Sequence, residues 1–332
     1  MILLWKNQFK TREVMKFLNK INSKAKTEKN SGFGTNASSY GGRFLNKNGK
    51  PNIKKSGIGF MDSISWFHTL LNIPRWKFMV IVVFFYFFSN LFFASIYYII
   101  GVENLNGMTG VTNLEKFGQA FFFSIQTFTT VGYGHISPSG FLTSLVAAIE
   151  ALFGLLSFAI ATGLFYGRFS KPQAHLKFSY NAVIAPYLEG TALMVRLSPF
   201  KNTNFTDAEA KMTLGLVLDE KGKYVNKFYS LDLELSRVNA LSLSWTLVHP
   251  ILENSPLYNF TQEQYENING EILVYVKVYD DMYSTHVVKR ASYTLNEIIF
   301  GAKFLPMFSR SEDDNKTILH IDKLNLFEKV KL

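Results

Sequence analysis

The 332-residue chain contains no cysteine, which excludes disulfides, thiol nucleophiles and cysteine zinc sites, and fits a reducing compartment. Its six histidines are scattered without metal-ligand spacing, and no nucleophile triad, zincin helix or phosphate-binding glycine loop occurs. No enzyme and no bound cofactor is therefore expected. No arginine-rich helix of the voltage-sensing kind is present either, so any voltage dependence is expected to come from blockers. The segment Trp5 to Lys29 is basic and polar, with no sustained apolar core of the sort a cleavable leader needs.

What the chain has in quantity is apolar and aromatic surface: 48% hydrophobic residues, 32 Phe and 16 Tyr, yet a mean hydropathy of only +0.07. A wholly intramembrane protein would exceed that value, so roughly half the chain is expected to meet water. Phe78 to Val102 is an uncharged run of about 25 residues, longer than the ~20 that cross a bilayer as a helix. Gly140 to Gly167 is a second such run with one charge, Glu150. The net charge of +10 does not point to nucleic acid, because the lysines and arginines crowd the stretch before Phe78 and are nearly absent between the runs. By the positive-inside rule that asymmetry predicts a multi-pass protein of the plasma (inner) membrane with both termini in the cytoplasm.

Between the two runs stands Thr130-Val131-Gly132-Tyr133-Gly134, preceded by the aromatic stretch Phe117 to Phe128. Five residues of this kind read as a potassium selectivity filter, in which backbone carbonyls replace the water around a dehydrated ion. The carbonyls must all turn one way, which requires alternating left- and right-handed backbone. Gly132 and Gly134 adopt that cheaply. Thr130 adds a hydroxyl at the inner end, while Val131 and Tyr133 are expected to point away and brace the loop. One such loop cannot surround K⁺, so several copies must converge on an axis. Phe117 to Phe128 is then the pore helix, its negative C-terminal end favouring a cation in the cavity.

The organisation expected along the chain is a cytoplasmic tail over 1–55 that adds a strand elsewhere, then an interfacial helix over 56–74 ended by Pro74. The pore domain spans 75–172, with a first span 76–102, pore helix 117–128, filter 130–134 and second span 140–169. From 173 to 332 the pattern changes period. Ala210, Met212, Leu214, Leu216 and Leu218 alternate with more polar partners, and further strands are expected at Leu176 to Ala185, Thr191 to Ser198, Leu241 to Val248, Ile272 to Tyr279 and Thr285 to Arg290. Short strands at this spacing predict an antiparallel, immunoglobulin-like β-sandwich, giving a membrane α plus all-β chain.

The chain resembles the inward-rectifier potassium channels, with the prokaryotic branch the nearest in pattern. The likeness rests on the filter, on Arg75-Trp76-Lys77 at the start of the first span, on Arg43-Phe44-Leu45 to Lys54, and on Ser255-Pro256-Leu257-Tyr258 and Ser292 to Ile298 in the soluble part. It implies passive K⁺ transport through a homotetramer, with K⁺ as the permeant ion and no other cofactor. Many family members pair a glutamate near the pore-helix end with an arginine after the filter. Gln126 and Ile136 occupy those positions, so Glu150 is expected to support the filter instead, as a protonated or paired carboxyl facing protein.

Gly154 and Gly163 in the second span serve bending or close packing, packing being the commoner reason. The acidic cavity residue of strong rectifiers falls on Phe158, so polyamine or Mg²⁺ block in the cavity is expected to be weak, and any rectification to rest on Asp207 and Asp281 along the cytoplasmic conduit. Solvated strand-end carboxylates are the plainer account of that pair. Tyr166 falls at the inner-helix constriction, where four rings could close the path by dewetting. Arg75, Lys77, Arg168, Lys171 and Lys177 gather near the inner leaflet as contacts for anionic membrane lipid, each contributing on the order of 1 kcal/mol; setting topology alone is the alternative. Two other readings stay open: another two-span, ligand-gated potassium channel, or a membrane-anchored sandwich module with a vestigial pore.

Overall fold

The computed structural model describes residues 25–29, 32, 43–59, 62, 65–220, 223–311 and 315–332. Most of the basic tail, the Gly/Ser-rich stretch from Ser31 to Gly42 apart from Gly32, Met61 and Ile64 at the start of the expected interfacial helix, and the turn at Lys221-Gly222 lie outside the described residues. The chain divides into two compact units, residues 56–171 and the remainder.

In the first unit, α1 (Trp66–Asn72) is followed by α2 (Arg75–Ile100), α3 (Asn113–Phe128) and α4 (Phe141–Phe169). Pro74 separates α1 from α2 and stands at the start of α2, where its missing N–H costs nothing. The helices α2 and α4, of 26 and 29 residues and with 18-residue stretches of mean hydropathy 2.2 and 2.1, are long and apolar enough to cross a membrane. Gly101, at φ +115°, ends α2, and the short strands β1 (Leu105–Asn106) and β2 (Ser137–Pro138) pair antiparallel on either side of the α3 hairpin. The pore helix α3 starts at Asn113, a turn earlier than the aromatic run suggests. Thr112 Oγ1 accepts the Glu115 amide at 3.2 Å while the Glu115 carboxylate accepts the Thr112 amide at 3.1 Å. That reciprocal cap nucleates the helix ahead of Phe117.

The second unit is a sandwich of two five-stranded sheets. One has the order β11 (Thr285–Thr294), β10 (Gly270–Asp280), β6 (Phe205–Glu220), β7 (Lys223–Leu231), with β8 (Arg237–Ala240) also on β6. The other runs β12 (Ile298–Phe300), β4 (Ala182–Tyr187), β5 (Gly190–Pro199), β3 (Leu176–Phe178), with β9 (Trp245–Pro250) on β5. Period-2 burial builds the core: Ala210, Met212, Leu214 and Leu216 from β6 meet Ile272, Val274, Val276 and Val278 from β10 and Leu193, Val195 and Leu197 from β5. Two expectations need correction. β12 pairs with β4 in parallel, so the sandwich is not wholly antiparallel. The strand expected over Leu176 to Ala185 is two strands, because at the bend between them Ser179 donates its amide to Arg196 O at 2.7 Å and accepts the Tyr293 hydroxyl at 2.7 Å.

Buried polar groups hold this unit's ends. Arg196 caps the carbonyls of Leu305, Lys323, Leu324 and Leu326, and burial pushes its guanidinium down to about 10. Where the tail was expected to add a strand, its described residues make an isolated bridge to β7: Thr27 bridges Tyr229, with Glu28 N–H on Phe228 O at 2.8 Å. Farther along, buried Glu271 accepts the amides of Phe44 at 2.5 Å and Leu45 at 3.0 Å, stapling the Arg43 segment to β10.

Candidate functional site: the pore loop and its supports

The loop after α3 has the backbone that a carbonyl-lined ion path requires. Thr130, Gly132 and Gly134 lie at φ +59°, +54° and +82°, whereas Val131 and Tyr133 keep ordinary negative φ. Hand alternates residue by residue over the whole motif. The glycines take the left-handed state freely, but Thr130 does so against the steric preference of its Cβ, at a cost on the order of 1–2 kcal/mol. What holds it there is the end of the pore helix. Thr130 N–H donates to Thr127 O at 3.1 Å, and Val131 and Gly132 N–H both converge on Gln126 O, at 3.0 and 3.3 Å. Gln126 thus supports the loop through its carbonyl. Within one chain Val131 and Tyr133 are 54% and 79% exposed.

Glu150, on α4, is fully buried. Its Oε2 accepts the Tyr97 hydroxyl of α2 at 2.6 Å, and its Oε1 meets the Ser124 hydroxyl of α3. Among the described residues no cation pairs with it, and its partners are hydroxyls that the sequence reading passed over. Tyr97 and Ser124 lie in apolar runs, where nothing marks them until three helices are packed together. Gly154, one turn along α4, has a plain role: a Cβ there would sit 2.0 Å from Phe128 O. It is a contact glycine between α4 and the last turn of the pore helix. Gly163 has open space around it. Phe158 and Tyr166 are 73% and 74% exposed in the single chain.

The basic cluster is not uniform. Arg75 and Lys77 are exposed. Arg168 is engaged: its guanidinium caps the α1 end by donating to Leu70 O and to Ile73 O (2.8 Å), and lies 4.5 Å from the Phe78 ring centroid. Lys171 donates to Asn72 Oδ1. These two contacts join the C-terminal end of α4 and the residues after it to α1. Lys177 belongs to the other unit, exposed on β3, its ammonium 5.1 Å from the Phe200 ring.

Asp207 and Asp281 come together at one end of the sandwich. Asp281 accepts the hydroxyl of Thr206, the neighbour of Asp207, at 2.9 Å. Asp207 itself, at φ +46°, accepts Arg237 Nε at 2.8 Å. Both members of that ion pair are well exposed, so it contributes little stability, but it offsets part of the acidic charge expected there.

Two apolar helices, a re-entrant helix between them and a loop of alternating hand define the class: a membrane-embedded ion pore. Comparison with known proteins narrows it. The family model for the inward rectifier potassium channel transmembrane domain matches residues 45–172, and that for the inward rectifier potassium channel C-terminal domain matches residues 176–332. The chain is 33% identical over 280 residues, 83% of its length and 92% of the relative's, to the inward rectifier potassium channel Kirbac3.1 of Paramagnetospirillum magnetotacticum. It is 28% identical to the G protein-activated inward rectifier potassium channel 2 of Pongo abelii, covering 80% of this chain and 68% of that one. With the ATP-sensitive inward rectifier potassium channel 12 of Bos taurus it shares 27% identity over 82% and 69% of the two chains. The chain belongs to the inward rectifier potassium channel family, whose members are ion channels and not enzymes.

Proposed function

We propose that four copies of this chain form a passive K⁺ channel in the plasma (inner) membrane, with both termini in the cytoplasm. Each copy contributes Thr130 to Gly134 to the filter and Gln126 and Glu150 to its support. Phe158 lines the cavity, Tyr166 closes the inner-helix constriction, and Asp207 and Asp281 line the cytoplasmic conduit. The observation that carries this reading is the alternation of backbone hand at Thr130, Gly132 and Gly134. A loop of that geometry turns successive carbonyls to one side, and the exposure of Val131 and Tyr133 leaves their seating to neighbouring copies.

With an apolar ring at Phe158, polyamine and Mg²⁺ block from the cavity is weak. Anionic lipid acts through Arg75, Lys77, Lys171 and Lys177, with Arg168 committed to α1 instead. Rubidium uptake into proteoliposomes tests the reading: wild type should take up Rb⁺ in a barium-sensitive manner and Gly132→Val should not. Equal uptake by both would contradict it.

A further inference from the structure

Around Ser124 the hydrogens do not suffice for an ionised Glu150. Ser124 Oγ has one proton and faces three oxygens: Asn90 O at 3.1 Å, Asn90 Oδ1 at 3.2 Å and Glu150 Oε1. Asn90 cannot resolve the shortage by turning its amide over. Its Nδ2 already donates to Tyr86 O at 2.7 Å, so a flip would set two carbonyl oxygens against each other. If Glu150 were a carboxylate, Ser124 would serve either the carboxylate or Asn90 Oδ1, leaving the other facing a lone pair. Both residues are fully buried, so water cannot make up the difference.

A neutral acid removes the competition for the Ser124 proton. Tyr97 donates to Oε2, Oε1–H donates to Ser124, Ser124 donates to Asn90 Oδ1, and Asn90 donates to Tyr86 O. We propose that Asn90, Tyr97, Ser124 and Glu150 form one directional hydrogen-bond chain in which the Glu150 carboxyl is a donor, and that this chain positions the pore helix. Ser124 lies two residues before Gln126, whose carbonyl holds the filter amides, so the seating of Ser124 sets where the filter begins. Asn90, Tyr97 and Ser124 are thereby positioning residues for selective conduction, acting through the pore helix without touching the ion. The functional half of the inference rests on the channel reading; the proton half does not.

The test uses the full-length protein reconstituted in liposomes. Infrared spectra should contain a protonated-carboxyl carbonyl band that Glu150→Gln removes, since an amide reproduces both the acceptor and the donor of a neutral acid. Glu150→Gln should cost less Rb⁺ over Na⁺ selectivity than Glu150→Ala, while Ser124→Ala and Tyr97→Phe should each lower it about tenfold, the scale of one lost buried hydrogen bond. Only carboxylate bands in the wild type, or a Glu150→Gln channel as unselective as Ser124→Ala, would overturn the proposal. Should wild type carry Na⁺ as readily as Rb⁺, the channel reading fails, and the infrared band still decides the state of Glu150.

Discussion

The two units of this chain finish their surfaces differently. The sandwich closes on itself: side chains from β5, β6 and β10 bury one another almost completely, and two of its buried charged residues, Arg196 and Glu271, find partners within the unit. The pore unit leaves its most characteristic residues bare, with Val131, Tyr133, Phe158 and Tyr166 each more than half exposed in one chain. Its interior is fixed at a few polar points instead, where Glu150, Ser124, Tyr97 and Asn90 meet and where Arg168 caps α1. A sheet domain built for water can be complete as a monomer. A pore that lies on an axis is complete only in company.

Substitutions in each unit probe this contrast. The largest effect is expected from Gly154→Val, because its Cβ would meet backbone, which cannot move aside. A penalty of roughly 3 kcal/mol should appear as loss of tetramer on size-exclusion chromatography in detergent, with the sandwich still folded by circular dichroism. Glu271→Ala tests the opposite unit. Stranding the Phe44 and Leu45 amides should cost about 1–3 kcal/mol in its unfolding transition and leave assembly intact.

A smaller effect is expected at Arg168. Arg168→Lys keeps the charge but cannot span two carbonyls, so a several-fold change in Rb⁺ flux would identify α1 capping as its role; unchanged flux would return the residue to lipid contact. The smallest is a pH effect in the sandwich. Burial holds His249 below the usual histidine range, its Nδ1 hydrogen-bonded to Asp232 O at 2.7 Å and its Nε2 beside Ser255 Oγ at 2.8 Å. Its contribution to stability is present in full above about pH 6.5, the unfolded value, and falls as the pH drops toward the lower folded value. His249→Asn should flatten that part of the melting-temperature profile.

How much of this was legible in the sequence follows from the range of each interaction. The spans and the filter are local patterns, and the alternation Ala210 to Leu216 declares its buried face residue by residue. Glu150 stood out as a lone charge in an apolar run. Its partners did not, because a tyrosine 53 residues away and a serine 26 residues away are unremarkable until α2, α3 and α4 pack. The same holds for Arg168, which sequence alone placed at the lipid, and for Arg237, whose pairing with Asp207 depends on β8 lying beside β6. The parallel β12–β4 pair was equally hidden, since strand direction is not written in periodicity.

The central claim is that Thr130 to Gly134 of four copies present carbonyls to dehydrated ions on a common axis. Anomalous scattering from crystals of the assembly grown in Rb⁺ tests it most directly. Peaks are expected on a fourfold axis level with Thr130 to Gly134, absent when Na⁺ replaces Rb⁺. A well-ordered assembly with no peak at that level, or with a number of copies other than four, would contradict it.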